Sequence, residues 1–303
     1  TIVRGLLTAT AAVALAVASL ATSAAQKLSD HPITIIVPFT PGTGPDILAR
    51  LLGEELQRRW NQPVVVENKP GATGNIGALI VARAEPDGHK LLMTSNPFTA
   101  NVSLFKNISY DPVTSFAPII DVGVASLALA VHPSIPAKSI QELIGYLKQR
   151  PGQINYSSPG IGGPHHLAME LFKQQTKVEV MHIPYKGSAG ALQDLVAGHV
   201  GLGFVPPHTS ADLARQGQLR LLAVASKERI RVQPDLPTLS EEGLPGFEVE
   251  LWYGLLAPAG TPADIITRYN TALNEILRQS DIAEKLDKQG LLARGGSPEG
   301  FAS

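Results

Sequence analysis

Four times along this sequence a short apolar run stops, a turn rich in glycine and proline follows, and a helical pattern begins. The turns are "PFTPGTGPD" (38–46), "ENKPGATGN" (67–75), "SSPGIGGPHH" (157–166) and "PYKGSAG" (184–190). Strand, turn and helix in that order make the repeating unit of an α/β protein, whose parallel strands are covered by helices. About nine strand-length runs are present, which divide more comfortably into two sheets than one. The stretch "FAPIIDVGVASLALAVHP" (116–133) is too long for an ordinary strand and reads as a strand pair or a strand crossing between lobes.

The elements are punctuated clearly. "ITIIVPF" is followed by Ile47, Leu48, Leu51, Leu52 and Leu56, a helical stripe. Ile140, Leu143, Ile144 and Leu147 form a second stripe, stopped by "RPGQ". Pro45 and Pro164 suit a first helical position, where a missing N–H costs nothing. Gly44 and Gly163 would then be N-caps without side chains, leaving the first-turn amides open to a ligand. Unpaired amides and the partial positive charge of a helix start bind anions without a basic side chain. In sheets of this kind such turns lie at the carboxyl ends of the strands, where ligands sit.

Other chemistries find less support. "PGTGPD" has Ile47 where G-x-G-x-x-G needs its third glycine. Glu67 keeps a dinucleotide reading open, against which stand Pro41 and Pro45 inside the turn. No phosphate-binding G-x-x-x-x-G-K-[ST] occurs. "KGSAG" has Lys186 where a nucleophile elbow needs glycine. His165 and His166 are adjacent and do not share a helix face, a poor metal pair; His182, His199 and His208 lack ligand spacing. With no cysteine, disulfides, thiolate catalysis and thiolate metal sites are excluded. The formal net charge of −1 gives no footprint for nucleic acid. Residues 1–25 combine Arg4, an uncharged Ala-rich run and small residues at Ser23 and Ala25, the pattern of a signal peptide removed near Gln26. An exported, periplasmic protein is expected.

Several segments together resemble the solute receptors of tripartite tricarboxylate transporters, the Bug receptors. They are "ITIIVPFTPGTGPDILAR", "VVVENKPGATGNIGA", "PDGHKLLMTS", "YSSPGIGGPHHLAMELF", "HIPYKGSAGALQDLVAGHV", "PTLSEEGLPGFE" and "WYGLLAPAGTP", in the family's order over 31–303. The resemblance implies an α/β type II periplasmic-binding-protein fold. Lobe 1 would comprise 31–124 and 226–303, lobe 2 would comprise 125–225, and hinges would lie near 123–126 and 226–228. It implies capture of a small carboxylate (a di- or tricarboxylate, an acidic amino acid or an aromatic acid) by lobe closure. Delivery to membrane components of a transporter, or to a sensor, would follow. No cofactor, metal or nucleic acid is implied, and a monomer is expected.

Carried onto this sequence, the first-lobe contacts would be Phe39, Gly42, Thr43, Gly44 and Asp46, backed by Gly71, Ala72 and Asn75. The second-lobe contacts would be Ser158, Gly160, Gly162, Gly163, His166, Lys186 and Gly187. Phe39 should pack on the ligand, the glycines should offer amides, and Thr43 and Ser158 should donate hydroxyl bonds. The sequence departs from the family at "PGTG", commonly a glycine pair, and at Gly163–Pro164, where a hydroxyl residue is frequent. It stops at "SPEGFAS", where members usually continue into a final helix. A carboxylate-processing enzyme on a similar two-lobe fold, using Asp46 or His166, is the alternative.

Overall fold

The computed structural model describes residues 28–105, 107–231 and 233–302; the expected signal peptide lies outside them. The first half opens with β1 (Ile33–Val37), α1 (Gly44–Trp60), β2 (Val64–Asn68), a 3-10 turn (Ala72–Gly74) and α2 (Asn75–Ala82). It continues with β3 (Lys90–Ser95), α3 (Pro97–Leu104) and β4 (Phe116–Ser126). Then follow β5 (Ala128–Val131), α4 (Ile140–Lys148), β6 (Asn155–Ser158), α5 (Pro164–Thr176) and β7 (Met181–Pro184). The middle closes with α6 (Ser188–Val196), β8 (Leu202–Val205), α7 (Pro207–Arg215) and β9 (Arg220–Val224). The chain ends with β10 (Glu250–Pro258), α8 (Ala263–Leu277), α9 (Ser280–Lys288), β11 (Leu291–Ala293) and α10 (Pro298–Ala302).

The strands form two sheets. One has the order β11-β4-β10-β3-β1-β2, the other β7-β6-β8-β5-β9. Both are mixed, which corrects the expectation of parallel sheets. β1 pairs parallel with β2 and β3, whereas β10 pairs antiparallel with β3 and β4. β6 pairs parallel with β7 and β8, whereas β5 is antiparallel to β8 and β9. Each antiparallel pairing described, β11 with β4 included, involves a strand that carries the chain between the sheets. The overlong apolar run divides at Leu127 into β4, in the first sheet, and β5, in the second.

The return passes beside this crossing. Ala225 N–H donates to Leu127 O at 2.7 Å, and Val249 N–H donates to Ala225 O at 2.8 Å. Glu250 then pairs with Ser126 in the first sheet. Between them, the segment before β10 stays against the second sheet. Leu239 N–H bonds Val224 O, Gln141 Nε2 bonds Glu242 O, and the Phe247 ring stacks on Phe204 at 6.0 Å. These contacts carry the second unit's packing beyond residue 225, to Val249.

The core explains the register. Ile33, Ile35 and Val37 of β1 face α1 through Leu48, Leu52 and Leu56, all buried. Alternate β1 residues meet α2 and α3 instead: Ile36 clusters with Ala78, Val81 and Phe98. A strand buried on both faces reads as a continuous apolar run, as "ITIIV" does. α4 shows the local rules complete. Ser139 Oγ accepts from Glu142 N–H at 3.2 Å while Glu142 Oε2 accepts from Lys138 N–H at 2.7 Å. This is a capping box displaced by one residue at its return arm.

Candidate functional site

The four glycine-rich turns leave the carboxyl ends of β1, β2, β6 and β7, two adjacent parallel strands from each sheet. Each leads into a helical start without a side-chain cap: at Thr43, Gly71 and Gly74, Gly163, and Gly187. Uncapped starts occur elsewhere too, at Pro206, Pro262 and Gln279. The uncapped starts at Asn96 and Pro206 also follow parallel strands, β3 and β8, directly; what sets the four apart is the glycine-rich turn before each helix, with a positive-φ glycine at Gly42, Gly71, Gly162 and Gly187.

The first turn is built around Asp46. Its carboxylate accepts from Gly42 N–H at 2.8 Å, Asn68 Nδ2 at 2.9 Å and Arg50 Nε at 3.1 and 3.2 Å. Asn68, at the end of β2, also donates to Phe39 O at 3.1 Å and thereby ties the first turn to the second. Burial works against the charge on Asp46. The bonds from Arg50, Gly42 and Asn68 outweigh it and hold the carboxyl below its ordinary range. Asp46 therefore fixes the turn and is a poor proton acceptor.

The helix starts one residue earlier than expected, so Thr43 is the N-cap and Gly44 the first helical residue. Thr43 Oγ1 donates to Thr40 O at 2.8 Å, so the hydroxyl proton expected for a ligand serves the turn. The sequence reading missed Tyr253 of β10, whose hydroxyl lies under Gly44; an added Cβ would meet it at 2.6 Å.

The second turn carries two non-glycine residues in the left-handed region, Ala72 at φ 48° and Thr73 at φ 54°. Such pairs are costly and are kept where surrounding structure enforces them. Here the enforcement is visible. The buried Asn101 of α3 donates to Thr73 O at 2.9 Å and to Asn75 Oδ1 at 2.8 Å. Tyr110 Oη donates to the same Asn75 oxygen at 2.8 Å. Asn75, expected behind the ligand, is thus bound on its oxygen to the protein. The Phe39 ring lies beside this turn, 3.6 Å from where a Gly74 Cβ would stand. Gly71 is half-buried, with the Ile76 side chain against it.

The third turn is held by two imidazoles. Gly162 N–H donates to His166 Nδ1 at 3.2 Å. Ser158 Oγ donates to Gly160 O at 2.9 Å, accepts from Gly160 N–H at 3.3 Å and meets His182 Nε2 at 2.6 Å. The parallel register sets His182 opposite Tyr156. The rings of Tyr156 and His182 stack at 4.7 Å, and those of His182 and His166 at 4.4 Å. Desolvation depresses both histidines and keeps them neutral. With Nδ1 accepting, neutral His166 carries its proton on Nε2.

These contacts revise the roles of Ser158, Gly160 and Gly162. The hydroxyl and both amides are engaged within the turn, so they shape it instead of standing free for a ligand. The uncapped start at Gly163 follows directly after them. The fourth turn adjoins the third, with Tyr185 N–H donating to Ser158 O at 2.9 Å. It places Gly187 at its open end and Lys186 exposed beside it.

The turns of the two sheets come together at α3. Its last residue, Leu104, lies against Gly162 so closely that a Cβ there would overlap Leu104 Cδ1. Turn one joins turn two through Asn68, turn two joins α3 through Asn101, and α3 reaches turn three through Leu104. Among the described residues, no group of three or more histidines, aspartates or glutamates is placed to hold a metal ion. No described helix is long and apolar enough to cross a membrane.

Comparisons with known proteins agree with this arrangement. The sequence model described as "Tripartite tricarboxylate transporter family receptor" matches residues 48–297. Protein BugT of Bordetella pertussis is 37% identical over 262 residues, covering 86% of this chain and 80% of BugT. The solved structure of Rpa4515 of R. palustris with adipate superposes with a TM-score of 0.84 at 37% identity, over 89% of this chain and 91% of that one. MatC (Rpa3494) from Rhodopseudomonas palustris, with bound malate, gives 0.80 at 33% identity, over 89% and 94%. The fold is therefore the two-lobe fold of periplasmic binding proteins. The chain belongs to the tripartite tricarboxylate transporter receptor family of periplasmic solute-binding proteins.

Proposed function

We propose that this protein captures a small carboxylate between two lobes and delivers it to the membrane components of a transporter or to a sensor. Lobe 1 would comprise β1 to β4 with β10 onward, lobe 2 the chain from β5 to Val249, and the paired crossings at Ser126–Ala128 and Val249–Glu250 would be the hinge. The observation that carries this reading is the set of uncapped helical starts at adjacent parallel strand ends of both sheets. Helix-start amides favour an anion and need no titratable partner. Bound adipate in one relative and bound malate in another give the carboxylate class its support.

In this proposal the ligand amides come from the first-turn residues beyond the caps at Thr43, Gly71, Gly163 and Gly187. Phe39 supplies an apolar wall and Lys186 a long-range positive charge. Two observations count against the enzyme alternative. The bonds to Asp46 hold its carboxyl below the ordinary range, and His166 Nδ1 already accepts from Gly162 N–H.

A thermal-shift screen over mono-, di- and tricarboxylates and acidic amino acids, with adipate and malate included, tests the reading. An acid at 100 times its Kd adds about 2.7 kcal/mol of stability. A flat response to every acid contradicts it, and consumption of an acid, lost in Asp46→Ala, would restore the enzyme.

A further inference from the structure

We propose that Leu104 is a positioning residue for lobe closure, the contact by which α3 carries the state of the second turn to the third. The inference rests on the two-lobe receptor reading above. Leu104 ends α3 on the first sheet's side, whereas Gly162 lies in the turn between β6 and α5 on the second. The leucine seats where a side chain at position 162 would stand. Gly162 has two reasons to be glycine: its φ of 76° and the leucine over it.

Leu104 is still 46% exposed, flanked by Val102 at 48% and Phe105 at 39%, and Ile161 beside Gly162 is 64% exposed. Apolar side chains so exposed on a short helix end contribute little to the lobe that carries them. Their gain comes from meeting the opposite lobe. The same helix is anchored through Asn101, fully buried, to Thr73 O and Asn75 Oδ1. A ligand that settles the left-handed pair at Ala72 and Thr73 therefore also settles the helix that bears Leu104.

The Leu104 side chain is apolar and offers a ligand no hydrogen bond, so its contribution is to the closed population. Apparent affinity scales with that population. Losing a half-buried leucine contact should weaken adipate binding about five- to tenfold. Gly162→Ala should also weaken binding, by strain and by obstruction of Leu104. In the double variant with Leu104→Ala the two losses should add to less than their sum.

The chain has no cysteine, so a pair introduced as Glu54→Cys and Lys148→Cys would take dyes at those positions alone. The distance between the lobes would be read by single-molecule energy transfer, with and without adipate, in this background and with Leu104→Ala. Val113→Ala, at an 81% exposed site, serves as the control. Leu104→Ala should lengthen the ligand-free distance distribution and right-shift the adipate titration, and Val113→Ala should do neither. Unchanged distances together with unchanged titration would overturn the inference. If adipate fails to close even the parent, the receptor reading fails for that acid, while the ligand-free distributions still decide the role of Leu104.

Discussion

Asp46 shows how a residue chosen for its charge can act through geometry. It was legible as a helix-start acid, and Gly42 and Arg50 stand four residues to either side of it, but Asn68 comes from the end of β2, and no local spacing reveals that partner. Asp46→Ala would strand the Gly42 amide and Asn68 together, and stability should fall by about 1–3 kcal/mol. The loss should disappear as pH falls through the carboxylate range. The native pKa is depressed, so the stabilisation exists above the unfolded value near 3.8 and is lost below it. Urea unfolding of both proteins at several pH values checks the sign. His165 makes the complementary case. It is buried, its Nε2 has no hydrogen-bond partner among the described residues, and desolvation lowers its pKa to about 4. Between 6.5 and about 4 the unfolded chain holds the extra proton, so stability falls as pH drops through that window, by about 3 kcal/mol in full. His165→Leu should flatten this part of the profile. An unchanged slope between about pH 7 and about pH 4 would show that His165 does not carry it.

At the scale of elements, the sequence was most readable where one period governed a whole segment. The stripe of Ile140, Leu143, Ile144 and Leu147 is α4, which ends at Lys148 just before "RPGQ". α3 carries no periodic signal, because "PFTANVSL" has no amphipathic stripe and its buried members are Pro97, Phe98 and Asn101. That helix carries Asn101 and Leu104, so the least periodic element proved central to the site. β11 is three residues long and exists because β4 offers it an edge. The second turn's left-handed pair, at an alanine and a threonine, follows from tertiary bonds and has no signal of its own. Gly77 in α2 is a further such case. A Cβ there would stand 2.7 Å from Pro38 Cβ and 2.9 Å from Pro38 Cα, behind the first turn. Gly77→Val should push α2 off β1, cost about 1–3 kcal/mol and weaken carboxylate binding, since both first-lobe turns hang from that contact. Paired melting and titration measurements check it; stability and affinity both unchanged would contradict the packing.

For the whole molecule, the legible feature was the overlong run at 116–133, because one strand cannot use so many apolar residues without changing sheets. The mixed pairing was not legible. It arises where β4, β5, β9 and β10 cross between the sheets side by side, a relation between segments distant in the sequence. A second contact between the two sides, His208 of α7 against Gly290 before β11, lies apart from the turns. Its chemistry gave no hint in sequence.

The central claim is that main-chain amides from turns on both sheets grip one carboxylate. The direct measurement is a crystal structure of this protein grown with saturating adipate. The account predicts carboxylate oxygens at about 2.7–3.2 Å from first-turn amides of at least one helical start on each sheet. Adipate bound outside the four turns, or held by lysine and arginine side chains with those amides turned away, would contradict it.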